Sequence, residues 1–320
     1  MKQKLIAGVL GAVLGCSGLA FAQDVKYPTK PIRMIVGYAP GGGSDIMGRL
    51  IAPQITEALG QQVIVENRAG QAQNIAAEFI IRQPADGYTL FLSSAALGVN
   101  VSLYPKLNYD PVKDFVPIAV FSTSANLLVV HPSLPVKTVK EFIAVVKKNP
   151  GKMNFSSSGS GSTQHLSGEM LKLMIKGDFT HIPYKGTGPS LTALISGEVE
   201  FSFSNIPAAQ PMLNRMRVLG ITSEKRSALM PEVPTMIEGG LPGFVTQTWY
   251  GVLAPRSTPQ SVINTLNSVI VKAVQREDFR NKLAQMGADP IAESPEYFRK
   301  MLGEEIERWG KVVKASGIKP

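Results

Sequence analysis

Tyr38-Ala39-Pro40-Gly41-Gly42-Gly43-Ser44-Asp45 follows an apolar stretch, residues 32–37, and runs straight into an amphipathic pattern over residues 46–59. A strand that ends in glycines and opens a helix is built to hold an anion. Successive glycines let backbone N–H groups converge with no Cβ in the way. The helix behind them adds unpaired N–H donors and the positive end of its dipole. The loop is therefore a candidate site for a small phosphate or carboxylate.

The same alternation continues outward. Strand-like and helix-like patterns follow one another through 63–66, 74–82 and 88–93. A second set covers 127–131, 139–148, 153–157, 164–175, 179–183, 190–196, 199–203 and 218–222. Such alternation implies an α/β protein with parallel sheets covered by helices on both faces. A chain of 320 residues exceeds the usual single core, so two domains are expected. A strand-like stretch, 245–254, precedes three helical patterns at 259–275, 276–286 and 295–316, with Pro259 and Pro295 in first turns and Gly287 as a stop. These helices need a sheet to cover, and the first domain supplies one. The chain then leaves domain one, builds domain two and returns, with crossings near 121–126 and 243–248. The expected division is 23–123 plus 247–320 for domain 1 and 124–246 for domain 2. Ligands of open α/β sheets sit beyond the strand carboxyl ends, so the two domains face each other across a cleft.

Further polar loops sit at strand ends. Asn67-Arg68-Ala69-Gly70-Gln71-Ala72-Gln73-Asn74 leads into a helix that Asn74 either caps or leaves free to meet a ligand. Ser156-Ser157-Ser158-Gly159-Ser160-Gly161-Ser162-Thr163 is a hydroxyl-rich turn that donates to oxyanions without bringing a charge. Pro183-Tyr184-Lys185-Gly186-Thr187-Gly188-Pro189 carries one lysine able to neutralise a carboxylate or to stay solvated. Ser93 closes the pattern at 88–93, and Ser204 and Asn205 follow the one at 199–203.

Catalytic and nucleotide motifs fail on particular residues. Gly43 and Gly48 have P-loop spacing, but Arg49-Leu50 stands where Lys-Ser/Thr is needed. Gly159-Ser160-Gly161 starts like a dinucleotide fingerprint, but Gln164 takes the third glycine position. His131, His165 and His181 lack metal-ligand spacing, and no metal or cofactor is expected. There is no Gly-x-Ser-x-Gly elbow; Ser160 with His165 is the one pair on which a serine-type hydrolase reading rests.

Residues 1–22 read as a cleaved signal peptide: Lys2 and Lys4, an apolar run over 5–14, then Ala20-Phe21-Ala22. Acylation at Cys16, the single cysteine, is the less favoured alternative. Loss of Lys2 and Lys4 lowers the net charge from +9 to +7, with 31 basic residues against 24 acidic ones. The basic residues are scattered without interleaved aromatics, which argues against nucleic acid.

Tyr27-Pro28-x-Lys30-Pro31-Ile32-Arg33, Pro40-Gly41-Gly42-Gly43-Ser44-Asp45, Val65-Glu66-Asn67-Arg68, Asp86-Gly87-Tyr88-Thr89-Leu90, Tyr109-Asp110-Pro111-Val112-Lys113-Asp114-Phe115, Pro183-Tyr184-Lys185-Gly186 and Trp249-Tyr250-Gly251 follow in order along nearly the whole chain. Together they resemble the Bug family of periplasmic solute-binding proteins, the receptors of tripartite tricarboxylate transporters. The resemblance implies a type II periplasmic-binding fold, two α/β domains joined by a two-strand hinge, closing on a small carboxylate with no reaction catalysed. It implies a monomer that docks on a permease with one large and one small integral subunit. A sensor role feeding a receptor kinase is the alternative output.

Carried onto this chain, the resemblance points to Tyr38, Gly41, Gly42, Gly43, Ser44, Asp45 and Asn74 for one carboxylate. Ser158, Gly159, Ser160, Gly161, Ser162, Thr163, Tyr184, Lys185, Ser204 and Asn205 would read the distal part. Gln71-Ala72-Gln73 replaces the glycine-rich run common in the family. Phe203-Ser204 replaces Phe-Asp, so the acidic group that would meet a ligand ammonium is lost and a ligand without an amine is expected. Citrate-like, aliphatic dicarboxylate and aromatic acids all remain open.

Overall fold

The computed structural model describes residues 27–319; the signal-peptide and Cys16 expectations lie outside them. Strand β1 (Ile32–Val36) leads through the glycine loop into α1 (Gly43–Leu59), followed by β2 (Val63–Asn67), α2 (Asn74–Ile80), β3 (Thr89–Ser94) and α3 (Ala96–Leu103). The long β4 (Phe115–Val130) is followed by α4 (Val139–Lys148), β5 (Asn154–Ser157), α5 (Thr163–Ile175), β6 (Thr180–Pro183), α6 (Thr187–Ile195) and β7 (Phe201–Asn205). Then come α7 (Ile206–Ala209), a 3-10 turn (Gln210–Arg215), β8 (Arg217–Ile221) and β9 (Gln247–Pro255). Finally α8 (Gln260–Gln275), α9 (Glu277–Gln285), β10 (Asp289–Pro290) and α10 (Pro295–Ser316) return to the first sheet.

The strands run in the order β2-β1-β3-β9-β4-β7-β5-β6, with β8 and β10 also paired to β4. The pairs β1–β2, β1–β3, β5–β6 and β5–β7 are parallel, as alternation implies, but β4 and β9 run antiparallel to their neighbours. The sheets are therefore mixed, because the two strands that carry the chain between the halves interrupt the βαβ winding.

β4 supplies the link. Its residues up to Ala125 pair with β9, and from Asn126 onward it pairs with β7 and β8. The return passes alongside it: Thr222 N–H donates to Asn126 O at 2.9 Å and Thr246 N–H to Thr222 O at 3.0 Å. Two neighbouring crossings thus join two α/β domains.

Each domain buries apolar side chains on both faces of its sheet. In the first, Met34, Val36, Ile51, Ile55, Ile263 and Leu266 pack on one face, and Ile35, Ala77, Phe91, Leu253 and Phe298 on the other. In the second, Leu128, Phe142, Phe155 and Phe201 oppose Leu127, Val129, Leu191 and Ile206. The in-out alternation along β1 and β4 is what a two-faced sheet requires.

Two elements depart from the sequence expectation. α3 has six of its eight residues buried, so it shows no polar face and no amphipathic period. β4 begins well before the expected 127 because nearly all of its residues are buried, leaving no alternation to read.

Candidate functional site

The cleft between the domains narrows to a cavity of about 20 Å³ bordered by Tyr38, Gly42, Gly43, Ser44, Ser94, Ser158, Ser162, Thr163, Gln164, Thr187, Asn205, Thr248 and Tyr250. None of these side chains is charged. The amino ends of α1, α5 and α6 all reach the cavity, through Gly43, Thr163 and Thr187. Their first-turn N–H groups and dipoles make it electropositive without a cation.

The glycine loop is held from below. Asp45 Oδ2 accepts the Gly41 N–H at 3.0 Å, and its Oδ1 accepts from Arg49 at 3.0 Å and Asn67 Nδ2 at 2.9 Å. Asn67 Nδ2 also donates to Tyr38 O at 2.9 Å. Burial pushes the Asp45 carboxyl upward, but the Arg49, Gly41 and Asn67 hydrogen bonds outweigh it and hold it below the usual aspartate value. Gly41 and Asp45 thus brace the loop, while Gly42, Gly43 and Ser44 face the cavity.

Several other expected contacts are engaged elsewhere. Asn74 Oδ1 accepts from both Asn100 and Tyr109 at 2.6 Å, a buried network outside the cavity. Ser93 Oγ donates to Gln73 Oε1 at 3.0 Å on the far face of β3. Tyr184 Oη donates to Glu198 at 2.8 Å, Lys185 is exposed, and Ser204 Oγ donates to the Asn205 carbonyl. In the hydroxyl-rich turn, Ser160 offers its carbonyl to Tyr104, Gly161 N–H donates to His165 Nδ1 at 3.1 Å, and Gly159 lies against the Tyr184 carbonyl. Ser158, Ser162, Thr163 and Asn205 remain at the cavity.

Ser160 and His165 make no hydrogen bond to each other among the described residues. Two serine–histidine side-chain contacts do form among the described residues: Ser133 Oγ with His131 Nδ1 at 2.7 Å, exposed and away from the cavity lining, and Ser157 Oγ with His181 Nε2 at 2.6 Å. Ser157 is fully buried and does not border the cavity. His181 is stacked on His165 at 3.9 Å, and burial followed by the His165 and Lys172 charges lowers its pKa to about 2.

Five lining residues were not among the contacts named from the sequence, although Thr187 lies within one of its polar loops: Ser94, Gln164, Thr187, Thr248 and Tyr250. Ser94 and Tyr250 are register partners on β3 and β9, and Thr248 is two residues from Tyr250, so all three share a sheet face. Trp249, between Thr248 and Tyr250, packs the opposite core against Phe298, but eight of the nine β9 residues are buried, so no polar–apolar alternation marks the cavity face in the sequence. Tyr250 Oη is buried with no hydrogen-bond partner among the described residues. Burial, reinforced by Tyr38, raises its pKa, and burial likewise raises that of Tyr38. Both phenols therefore stay protonated and able to donate.

A larger groove of about 730 Å³ lies on another side of the crossings, lined by the 223–229 segment, Asp289 and Arg308. Size alone favours it. It lacks the converging helix amino termini and the buried unpartnered hydroxyl, so the narrow cavity is the better candidate.

Residues 47–318 match the family described as tripartite tricarboxylate transporter family receptor. Protein BugT of Bordetella pertussis is 36% identical over 324 residues, covering 100% of this chain and 99% of that protein. Among solved structures, an R. palustris protein with adipate has 37% identity and a TM-score of 0.90, covering 92% of this chain and 99% of the other. MatC from Rhodopseudomonas palustris with bound malate has 34% identity and a TM-score of 0.85, covering 90% and 100%. The periplasmic binding protein BugD has 29% identity and a TM-score of 0.87, covering 92% and 99%.

Proposed function

Since this chain belongs to the tripartite tricarboxylate transporter receptor family, we propose that it captures a small carboxylate in the periplasm and delivers it to a membrane permease of one large and one small subunit. The observation that carries this reading is the cavity wall. Three helix amino termini and two buried phenols converge there without one acidic or basic side chain among the lining residues. Such a wall favours an anion through many neutral donors and supplies no carboxylate to pair with an ammonium. The adipate and malate in the two R. palustris proteins support the carboxylate assignment.

In this reading the chain is exported by a signal peptide cleaved after residue 22, acts as a monomer and catalyses no reaction. Domain 1 comprises 23–123 with 247–320 and receives the first carboxylate at Gly42, Gly43 and Ser44. Domain 2, 124–246, closes over it with Ser158, Ser162, Thr163 and Asn205. A cavity of about 20 Å³ has room for about one water. Entry of a dicarboxylate therefore requires the domains to part about the β4 and β9 crossings and then close on the ligand.

A thermal-shift screen against citrate, C4 to C8 dicarboxylates, aromatic acids and acidic amino acids tests the proposal. At least one amine-free carboxylate at millimolar concentration is expected to raise the melting temperature by several degrees, about the stabilisation that a ligand far above its Kd confers. A melting temperature unmoved by every carboxylate sinks the reading.

A further inference from the structure

Thr187, the first residue of α6, is 3% exposed and borders the cavity. Two side-chain amides point at its hydroxyl oxygen: Gln164 Nε2 at 2.9 Å and Asn205 Nδ2, more weakly, at 3.4 Å. Neither amide can be reversed. Gln164 Oε1 accepts the Ser158 N–H at 2.7 Å, and Asn205 Oδ1 accepts the Ala208 N–H at 3.3 Å. A backbone N–H can only donate, so each amide oxygen must stay on that side and each NH2 must face Thr187.

A hydroxyl carries two acceptor sites and one proton. With both acceptor sites taken, Thr187 has only its proton left to give. The residue lies opposite the glycine loop: a Cβ placed on Gly42 would sit 3.6 Å from Thr187 N and 3.8 Å from its Oγ1. Tyr250 Oη, buried and unpartnered among the described residues, lies beside Gly43 on the same side of the cavity.

Building on the carboxylate-receptor reading, we propose that Thr187 contacts the ligand as a locked donor, its hydroxyl turned by Gln164 and Asn205 onto a carboxylate oxygen held at the amino end of α1. The bond crosses from one domain to the other, so it forms only as the cleft closes. An ammonium brought to the same point would meet a proton with no lone pair to receive it, which selects acceptor oxygens and rejects amines.

Titration calorimetry with the straight-chain C4 to C8 dicarboxylates tests this on three proteins. Thr187→Val removes the hydroxyl at nearly constant volume and is expected to weaken the tightest of these ligands by about tenfold or more, the loss expected for a hydrogen bond to a charged group. Thr187→Ser keeps the hydroxyl and is expected to stay within about threefold of the parent, well under one such bond. Melting of the ligand-free variants checks the fold. If the valine variant does not fold, Thr187→Ala carries the same expectation. Hydroxyl-free variants that bind as tightly as the parent, or a serine variant that loses as much as they do, overturn the proposal. A parent that binds none of these dicarboxylates but responds to citrate or an aromatic acid in the thermal-shift screen is carried through the same three-protein comparison with that acid; a parent that binds no carboxylate at all overturns the receptor reading as well, and that failure is seen before any variant is compared.

Discussion

Asp45 is 4% exposed and ties together three parts of the anion loop: the Gly41 amide, Arg49 one helical turn on, and Asn67 at the end of β2. Replacing it with asparagine keeps the shape but puts an NH2 against one of these donors. Asp45→Asn is expected to cost about 1.5–3 kcal/mol, the usual range for a hydrogen bond to a charged group, read as a lower melting temperature. Because the folded carboxyl sits below its ordinary 3.8, its stabilisation is fully present above that pH and is lost as pH falls through the folded value. Parent and variant melting temperatures should therefore converge below about pH 4. A gap that does not narrow at all as the pH is lowered from about 7 through this range would mean that the carboxylate charge is not what braces the loop. Sequence alone located Asp45 at the right loop but not its direction. An aspartate in a first helical turn serves a ligand, the dipole or the loop equally well, and the choice depends on Asn67, 22 residues away.

The strand-to-helix junction was the most legible element, and its glycines divide by what surrounds them. Gly41 has a φ of +77° with nothing near a prospective Cβ, so its requirement is backbone conformation. Gly42 would place a Cβ at ordinary contact distance, 3.4 Å from Ala39 O. Gly43 has no such room: a Cβ there would crowd Asn205 Oδ1 across the cleft and Tyr250 Oη on β9. Gly43→Ala is therefore expected to weaken ligand binding by about tenfold or more, one or more lost donor contacts, while Gly42→Ala, whose methyl enters the gap toward Thr187 without crowding any group, weakens it by less. Both should fold, and calorimetry compares them. Equal effects would show that close approach at Gly43 is not a requirement of the site. The strands were less legible than the loops. Ser93 and Ser94 are neighbours on opposite faces of β3, and only the pairing of Ser94 with Tyr250 tells which one meets the cavity. A one-residue choice of face is invisible where both faces are buried. Thr187 was in view as part of a glycine-rich turn, but its two amide partners come from α5 and from the end of β7.

At the scale of the molecule, closure is held by more than the cavity. The Ala39 N–H donates to Lys185 O at 3.0 Å, and Tyr104 Oη to Ser160 O at 3.2 Å. A small apolar cluster joins Val99 and Leu103 of α3, Trp309 and Val313 of α10, and Leu166 of α5. Leu166 belongs to the second domain in the proposed division and the other four to the first, so parting the domains exposes all five. Leu166→Ala removes apolar contact made in the closed state while leaving the second domain's own core, built on Phe155, Leu171 and Phe201, untouched. The closed form then becomes a smaller fraction of the ligand-free ensemble. Small-angle scattering should register this as a rise in radius of gyration on the order of 1 Å, over the ~19 Å expected for a compact chain of this length. Saturating ligand should bring parent and variant back to the same value, since ligand contacts favour closure in both. Leu171→Ala supplies the contrast: its contacts lie within one domain, so it should lower the melting temperature without opening the molecule. If Leu166→Ala leaves the ligand-free dimensions unchanged, the cluster is not a determinant of closure, and the balance between open and closed forms rests on the polar contacts at the cleft mouth.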